Sequence, residues 1–147
     1  MPDIERRASA TWTGDIQKGS ATVSVPSGAL TGVSISVGTR FGNERGSNPE
    51  ELVAAAHASC FSMQLAALLS EQGHPPQEIH THATLLMRRV DSGFRIYKIH
   101  LETEGKVAGI DAAAFRAAAE QAKDICPISV LIKPGLEQLT VNAKLAA

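Results

Sequence analysis

The stretch NPEELVAAAHASCFSMQLAALL, Asn48 to Leu69, decides how the rest of the chain must be read. Asn48 can accept from the free amides of a first helical turn, Pro49 suits the first helical position, and Glu50 and Glu51 place negative charge at the positive end of the helix dipole. The helix so started is predicted to run to about Gly73. From Leu52 to Leu69 it is apolar nearly all round, and a helix of that kind has to be enclosed by other elements. His57, Ser59, Ser62 and Gln64 interrupt the run, which barely reaches the ~20 apolar residues needed to cross a bilayer. The expectation is a buried core helix at the centre of the fold.

Upstream of this helix, Ala8–Gly14, Ser20–Val25 and Gly32–Val37 alternate apolar and polar residues around Trp12, Val23 and Ile35, and read as short strands. Gly14, Lys18-Gly19 and Pro26-Ser27-Gly28 separate them with turn chemistry suited to an antiparallel meander. Gly38 to Ser47 is polar, glycine-rich and without period, and reads as a loop. Downstream, Glu78–Val90 and Phe94–Glu104 have strand composition and flank the hairpin signal Asp91-Ser92-Gly93. Asp111 caps an amphipathic, Ala-rich helix to Asp124, and Cys126-Pro127 restarts the chain as a short helix to Ile132. Lys133-Pro134-Gly135 breaks that helix, and Leu139 to Val141 supplies a last strand. The order βββ-α-ββ-αα-β is α+β, because it lacks the strand–helix alternation of a wound parallel sheet.

At 147 residues and 44% hydrophobic composition, one domain with a genuine core is expected. A net charge of −1 provides no field to draw the protein onto phosphate backbones or anionic lipid. Four Phe, one Tyr and one Trp are too few for a base-stacking platform, so neither nucleic acid nor membrane is expected as a partner. The first ten residues, MPDIERRASA, lack the apolar stretch of a secretory signal, and a cytoplasmic location is inferred. With two cysteines there is no disulfide framework and no four-thiolate zinc site in one chain.

Two thiols can still carry redox chemistry. Taken alone, Cys60 reads as a small buried hydrophobe with an inert thiol. Cys126 precedes Pro127 at a helix N-terminus, where free amides favour a thiolate, but it reads equally well as a capping residue. Arg40 lies in the loop before the cysteine helix and Glu50 in that helix's first turn. An Arg and a carboxylate near a thiol can stabilise its anion and order a polar oxygen substrate, and the alternative is a loop ion pair. Ten residues separate Glu50 from Cys60, about 15 Å of rise on a continuous helix. If both serve one site, the helix is broken or Glu50 comes from a second subunit. His57, one turn before Cys60, can tune the thiol or join both cysteines at a metal, though such a histidine is more often a hydrogen-bonded core residue. His80 and His82 share one strand face, which more often means a solvated surface than a metal site.

The segment from Asn48 to Met63 resembles the signature helix of the OsmC/Ohr family of thiol-dependent organic hydroperoxide reductases. The resemblance extends to ATWTGDIQKGSATVSVPSGAL near the start, Thr39-Arg40-Phe41, Val90 to Phe94 at the hairpin, and Cys126-Pro127-Ile128-Ser129. Ala-Ala-His57-Ala-Ser-Cys60 and the place of Arg40 point to the OsmC branch. The resemblance implies an α+β, OsmC-like fold over residues 1–147, with antiparallel sheets packed around a long central helix in an intertwined homodimer.

It further implies Cys60 as the peroxidatic thiol, Cys126 as the resolving thiol, and Arg40 with Glu50 as the polar pair that activates Cys60 and orients the peroxide. The implied chemistry is a cysteine-based peroxidase of oxidative or osmotic stress, reducing organic hydroperoxides through a Cys60 sulfenic acid and a Cys60–Cys126 disulfide. It calls for no metal or other cofactor, only an external dithiol or lipoylated protein as reductant. Phe41, Phe61 and Met63 are expected to hold the alkyl group. The rival reading is a dimeric binding module that uses Cys60, His57 and Cys126 to hold a soft metal or simply to sense oxidation, without turnover.

Overall fold

The computed structural model describes residues 1–147. The alternation around Trp12, Val23 and Ile35 forms the expected meander, β1 (Ser9–Thr13), β2 (Ser20–Ser24) and β3 (Val33–Ile35), antiparallel in the order β1-β2-β3. Trp12 stands opposite Ala21, and Ala21 opposite Ile35. Between β1 and β2 the carboxylate of Asp15 accepts from the amides of Gln17 and Lys18, an Asx turn entered through Gly14 at φ +94°.

The stretch expected as a loop opens instead with a short helix, α1 (Val37–Phe41). Its start is a reciprocal cap: the Ser36 hydroxyl accepts from the Thr39 amide at 3.1 Å, and the Thr39 hydroxyl accepts from the Ser36 amide at 2.8 Å. The Ser-x-x-Thr spacing of this capping box outweighs the poor helical propensity of the glycine between its ends.

The helix α2 (Pro49–Glu71) starts as the sequence predicts, with the Glu51 amide donating to the Asn48 side chain at 2.8 Å. It ends in a Schellman turn: Gly73 takes φ +82°, its amide reaches Ser70 O, and the His74 amide reaches Leu69 O. The fold gathers into two compact units, Met1–Leu52 and Val53–Ala147, and α2 begins in the first and continues through the second.

In the second unit, β4 (Glu78–Val90) and β5 (Gly93–Lys106) form a long antiparallel hairpin across Asp91-Ser92. Then come α3 (Ala112–Ile125), capped by the Asp111 carboxylate, α4 (Pro127–Ile132), and a 3-10 turn at Lys133–Gly135 that prolongs α4 where a break was expected. The last strand, β6 (Gln138–Leu145), joins β5 in parallel, so this sheet is not antiparallel throughout. Parallel neighbours need a long crossover, and α3 with α4 provides it.

The sheet and helices enclose one core: Phe61, Leu65, Leu68 and Leu69 of α2 against Ile99 and Leu101 of β5 and Phe115, Ala118, Ala119 and Ala122 of α3. The helix expected to be buried all round is buried on this face only. Met63, on another face of α2, is 75% exposed, because the second unit supplies one layer for α2 to pack on. Although α2 is long and apolar enough to cross a membrane by length and composition, Phe61, Leu65 and Leu69 are committed to a protein core.

Candidate active site

Crossing from α3 to α4 places Cys126 at a sharp junction. Its amide closes α3 on Ala122 O at 2.9 Å, its backbone is extended at φ −56°, ψ 129° as the residue before a proline prefers, and Pro127 opens α4. This junction brings two residues 66 apart in sequence together: the Cys126 thiol donates to Cys60 Sγ at 3.1 Å. Both thiols are free, Cys126 wholly buried and Cys60 partly. Burial, first of all, pushes the Cys60 thiol above its ordinary value. The backbone amide of Ile128, free at the start of α4, pulls the other way by donating to the sulfur. The neighbouring Cys126 adds to the rise, since two thiols in contact resist ionising together. Cys60 opens onto an apolar cavity of about 560 Å³ lined by Ser59, Met63, Gln64, Pro127 and Ile128 among others.

The first unit holds the polar pair. Arg40, in the last turn of α1, binds Glu50, in the first turn of α2, through Nε at 3.1 Å from both carboxylate oxygens and Nη2 at 2.5 Å from Oε1. The Arg40 side chain keeps 36% of its surface exposed and Glu50 only 12%, so the carboxylate is the buried partner and the guanidinium retains an open side. The guanidinium carbon lies 5.3 Å from the centre of the Phe41 ring. Beside it a cavity of about 140 Å³ is lined by Trp12, Ile16, Ile35, Phe41 and Pro49. Trp12 and Ile16 receive no site role from the sequence, where Trp12 marks a strand position.

Other expected residues fall elsewhere. Phe61, expected beside an alkyl group, is fully buried in the core of the second unit and lines neither cavity. Cys60 and Phe61 are adjacent on a helix, so they point about 100° apart and cannot share a face. His57 Nε2 lies 2.7 Å from the Ser129 hydroxyl, both wholly buried, and burial lowers the imidazole's pKa. The set His57, Cys60 and Cys126 does not converge as metal ligands: no group of three or more His, Cys, Asp or Glu side chains is placed to hold an ion. His80 and His82 stand on the exposed face of β4 with their Nε2 atoms 3.0 Å apart. Ser129 and the Ile128 amide escaped the sequence reading, although the Cys-Pro-Ile-Ser run was the signal that held them both.

Residues 42–138 match the family model described as OsmC-like protein. The chain belongs to the OsmC-like family. Among its relatives, Peroxiredoxin OsmC of Escherichia coli (strain K12) is 46% identical over 130 residues, spanning 88% of this chain and 91% of that protein. The organic hydroperoxide resistance protein OhrA of Bacillus subtilis (strain 168) is 33% identical over 88 residues, 58% of this chain and 60% of that one. In structure the chain is similar to an organic hydroperoxide resistance protein OsmC from Legionella pneumophila, with a TM-score of 0.72 at 20% identity over 95% of this chain and 99% of that one. The OsmC-like fold is thus shared by sequence and by structure, and it carries the two thiols into contact through the β5–α3–α4–β6 crossover.

Proposed function

We propose that this protein is a thiol-dependent peroxidase that reduces organic hydroperoxides, with Cys60 as the peroxidatic and Cys126 as the resolving thiol. The observation that carries the reading is the 3.1 Å contact between two free sulfurs from separate helices, one of them open to an apolar cavity. The names of the relatives, peroxiredoxin and organic hydroperoxide resistance protein, support the same activity. The Cys60 thiolate attacks one peroxide oxygen, the O–O bond breaks, and the alcohol leaves with a proton while the sulfur becomes a sulfenic acid. Cys126 condenses with it, releasing water and forming the disulfide. An external dithiol, such as a lipoyl group, restores both thiols by exchange. The cycle requires neither metal nor prosthetic group.

Burial raises the Cys60 pKa, so the thiolate needs a cation, and Arg40 is proposed to supply it, with Glu50 holding the guanidinium in place. Helix α2 is unbroken between Glu50 and Cys60, which separates them by about 15 Å of rise. Arg40 and Glu50 are therefore proposed to reach the Cys60 of a second copy of the chain, in a homodimer. The exposed Met63 on α2 and the exposed residues of β1 support a partner of this kind. Phe41 and Met63 would hold the alkyl part of the substrate, favouring organic hydroperoxides over hydrogen peroxide in stress defence within the cytoplasm.

The test is intact mass and free-thiol titration of the reduced protein before and after one equivalent of cumene hydroperoxide, for wild type and Cys126→Ser. Rapid loss of both thiols in wild type, with a trappable sulfenic acid in the variant, is the expected result. Unchanged thiols in wild type would overturn the assignment.

A further inference from the structure

The first turn of α4 makes three separate approaches to the face of α2 that carries Cys60. Cys126 brings its thiol to the Cys60 sulfur at 3.1 Å, Ile128 donates its backbone amide to the same sulfur, and Ser129 places its hydroxyl 2.7 Å from His57 Nε2. The spacing makes these contacts rungs. His57 precedes Cys60 by three residues on α2, and Cys126 precedes Ser129 by three residues at the start of α4, so the sulfur contact and the His–Ser contact lie about one helical turn apart. The His–Ser rung is the rigid one. Both residues are wholly buried, and a buried hydrogen bond cannot be exchanged for water when it breaks. His57 Nδ1 is also buried and has no hydrogen-bond partner, so Ser129 is the single polar anchor of this ring.

Disulfide formation demands movement at this junction. The sulfurs stand 3.1 Å apart and a disulfide bond is about 2.05 Å long, so they must close by roughly 1 Å, a distance that rotation of the two cysteine side chains covers while α2 and α4 keep their register. The 2.7 Å contact between His57 and Ser129 one turn away cannot shorten by that much, so it holds the spacing and register of the two helices while the cysteine side chains close the gap.

We propose that His57 and Ser129 are a positioning pair that sets how fast Cys126 captures the sulfenic acid of Cys60, and so how well the protein escapes overoxidation. The proposal rests on the peroxidase reading above. In the capture step the Cys126 sulfur attacks the Cys60 sulfur, an S–S bond forms, the S–O bond breaks, and the hydroxyl leaves as water with the thiol proton. In the competing step a second hydroperoxide transfers one oxygen to the sulfenic acid, giving the sulfinic acid and a second alcohol, and the thiol cannot be recovered by dithiol. Whatever slows the first step diverts the enzyme into the second. Neither His57 nor Ser129 touches peroxide in this account.

The test compares wild type with Ser129→Ala, which deletes the rung, and with His57→Gln, whose amide can reach Ser129 in place of the imidazole. Reduced proteins are mixed with one and with twenty equivalents of cumene hydroperoxide, and intact mass is followed with time to separate thiol, disulfide and sulfinic forms. In parallel, each protein is equilibrated with reduced and oxidised glutathione to measure the effective concentration of Cys126 toward Cys60, which requires no peroxide. A misplacement of about 1 Å can lower an intramolecular rate by up to about a hundredfold. The expected result for Ser129→Ala is disulfide formation slowed at least about tenfold, an effective concentration lowered in step, and a sulfinic product at twenty equivalents that wild type does not show. Loss of the Cys60 thiol should change by less than about threefold, and His57→Gln should behave like wild type.

Wild-type capture rate and effective concentration in Ser129→Ala would overturn the proposal. So would an equal loss of both steps in Ser129→Ala and His57→Gln, the pattern of general damage to the fold. A wild type that hydroperoxide leaves unchanged would refute the peroxidase reading by itself, and the glutathione measurement would still decide the positioning role.

Discussion

Replacing Arg40 by methionine and Glu50 by glutamine, singly and together, tests how the polar pair is built, because its two ends are unequally buried. Glu50 keeps 12% of its side-chain surface in contact with solvent and Arg40 keeps 36%. Arg40→Met removes all three of the nitrogen contacts to the carboxylate and leaves a nearly buried anion without a counter-ion. Breaking a buried pair in this way costs about 3–5 kcal/mol, and the open side of Arg40 discounts it to about 2–3 kcal/mol. Glu50→Gln leaves the partly exposed guanidinium to water and keeps an amide oxygen as acceptor, so its cost is about 1 kcal/mol. The double variant buries no unpaired charge and should also lose about 1 kcal/mol, making it more stable than Arg40→Met alone. For a chain of this length 1 kcal/mol moves Tm by about 2–4 °C, so Arg40→Met should melt about 4–12 °C below wild type. Urea midpoints with their slopes, at one fixed protein concentration, give the four free energies. Glu50→Gln costing as much as Arg40→Met, or a double variant less stable than Arg40→Met, would refute the reasoning.

Two further outcomes follow from buried groups in the second unit. Burial holds the His57 pKa below its ordinary 6.5, so in acid the unfolded chain takes up a proton that the folded protein refuses. Stability is then full above about pH 6.5 and falls as the pH drops from there toward the lower folded value, and His57→Gln should flatten that acid limb in urea midpoints measured across it. Gly105 on β5 has no room for a methyl group: a Cβ there would stand 2.6 Å from both Cε2 and Cζ of the Phe115 ring. Gly105→Ala should cost about 1–3 kcal/mol by thermal unfolding, with part of it restored by adding Phe115→Leu, and a variant as stable as wild type would show that the ring can yield freely.

Most of the architecture is legible because local signals agree with it. Asn48-Pro49, Asp111 and Gly73 start and stop helices by side-chain or backbone hydrogen bonds that the residue types announce. The capping box of α1 is as local, but Gly38, Gly42 and Gly46 outweigh it toward a loop when the stretch is read by composition. The parallel seat of β6 is of another kind. Nothing in Gln138–Leu145 states its direction, which follows from the two helices that carry the chain back along the sheet. The same crossover decides the site: read by itself Cys60 is an ordinary apolar position and Cys126 a residue at a helix start, and only the path through α3 and α4 gives them a common contact. The resemblance supplied that pairing, while spacing alone could only permit it.

The misplacement of Phe61 has the most instructive cause. A helix that is apolar all round has no hydrophobic period, so its sequence does not say which face turns to the core. Phe61, Leu65 and Leu68 follow the i, i+4, i+7 stripe that meets β5 and α3, while Cys60, Met63 and Ala67 follow an i, i+3, i+7 stripe that borders the open cavity. Two stripes of similar hydrophobicity thus meet different fates, and the open one carries the sulfur. An apolar setting works against a nucleophile that must ionise: burial raises the Cys60 pKa, and the Ile128 amide alone opposes it within this unit. On the proposed reading the missing stabilisation of the thiolate comes from the Arg40 guanidinium of a second chain, which would cover the same stripe. On that reading the apolar character of the stripe and the reactivity of its thiol have one physical origin, since the contact that would remove Met63 from water would also bring the charge that makes Cys60 a thiolate.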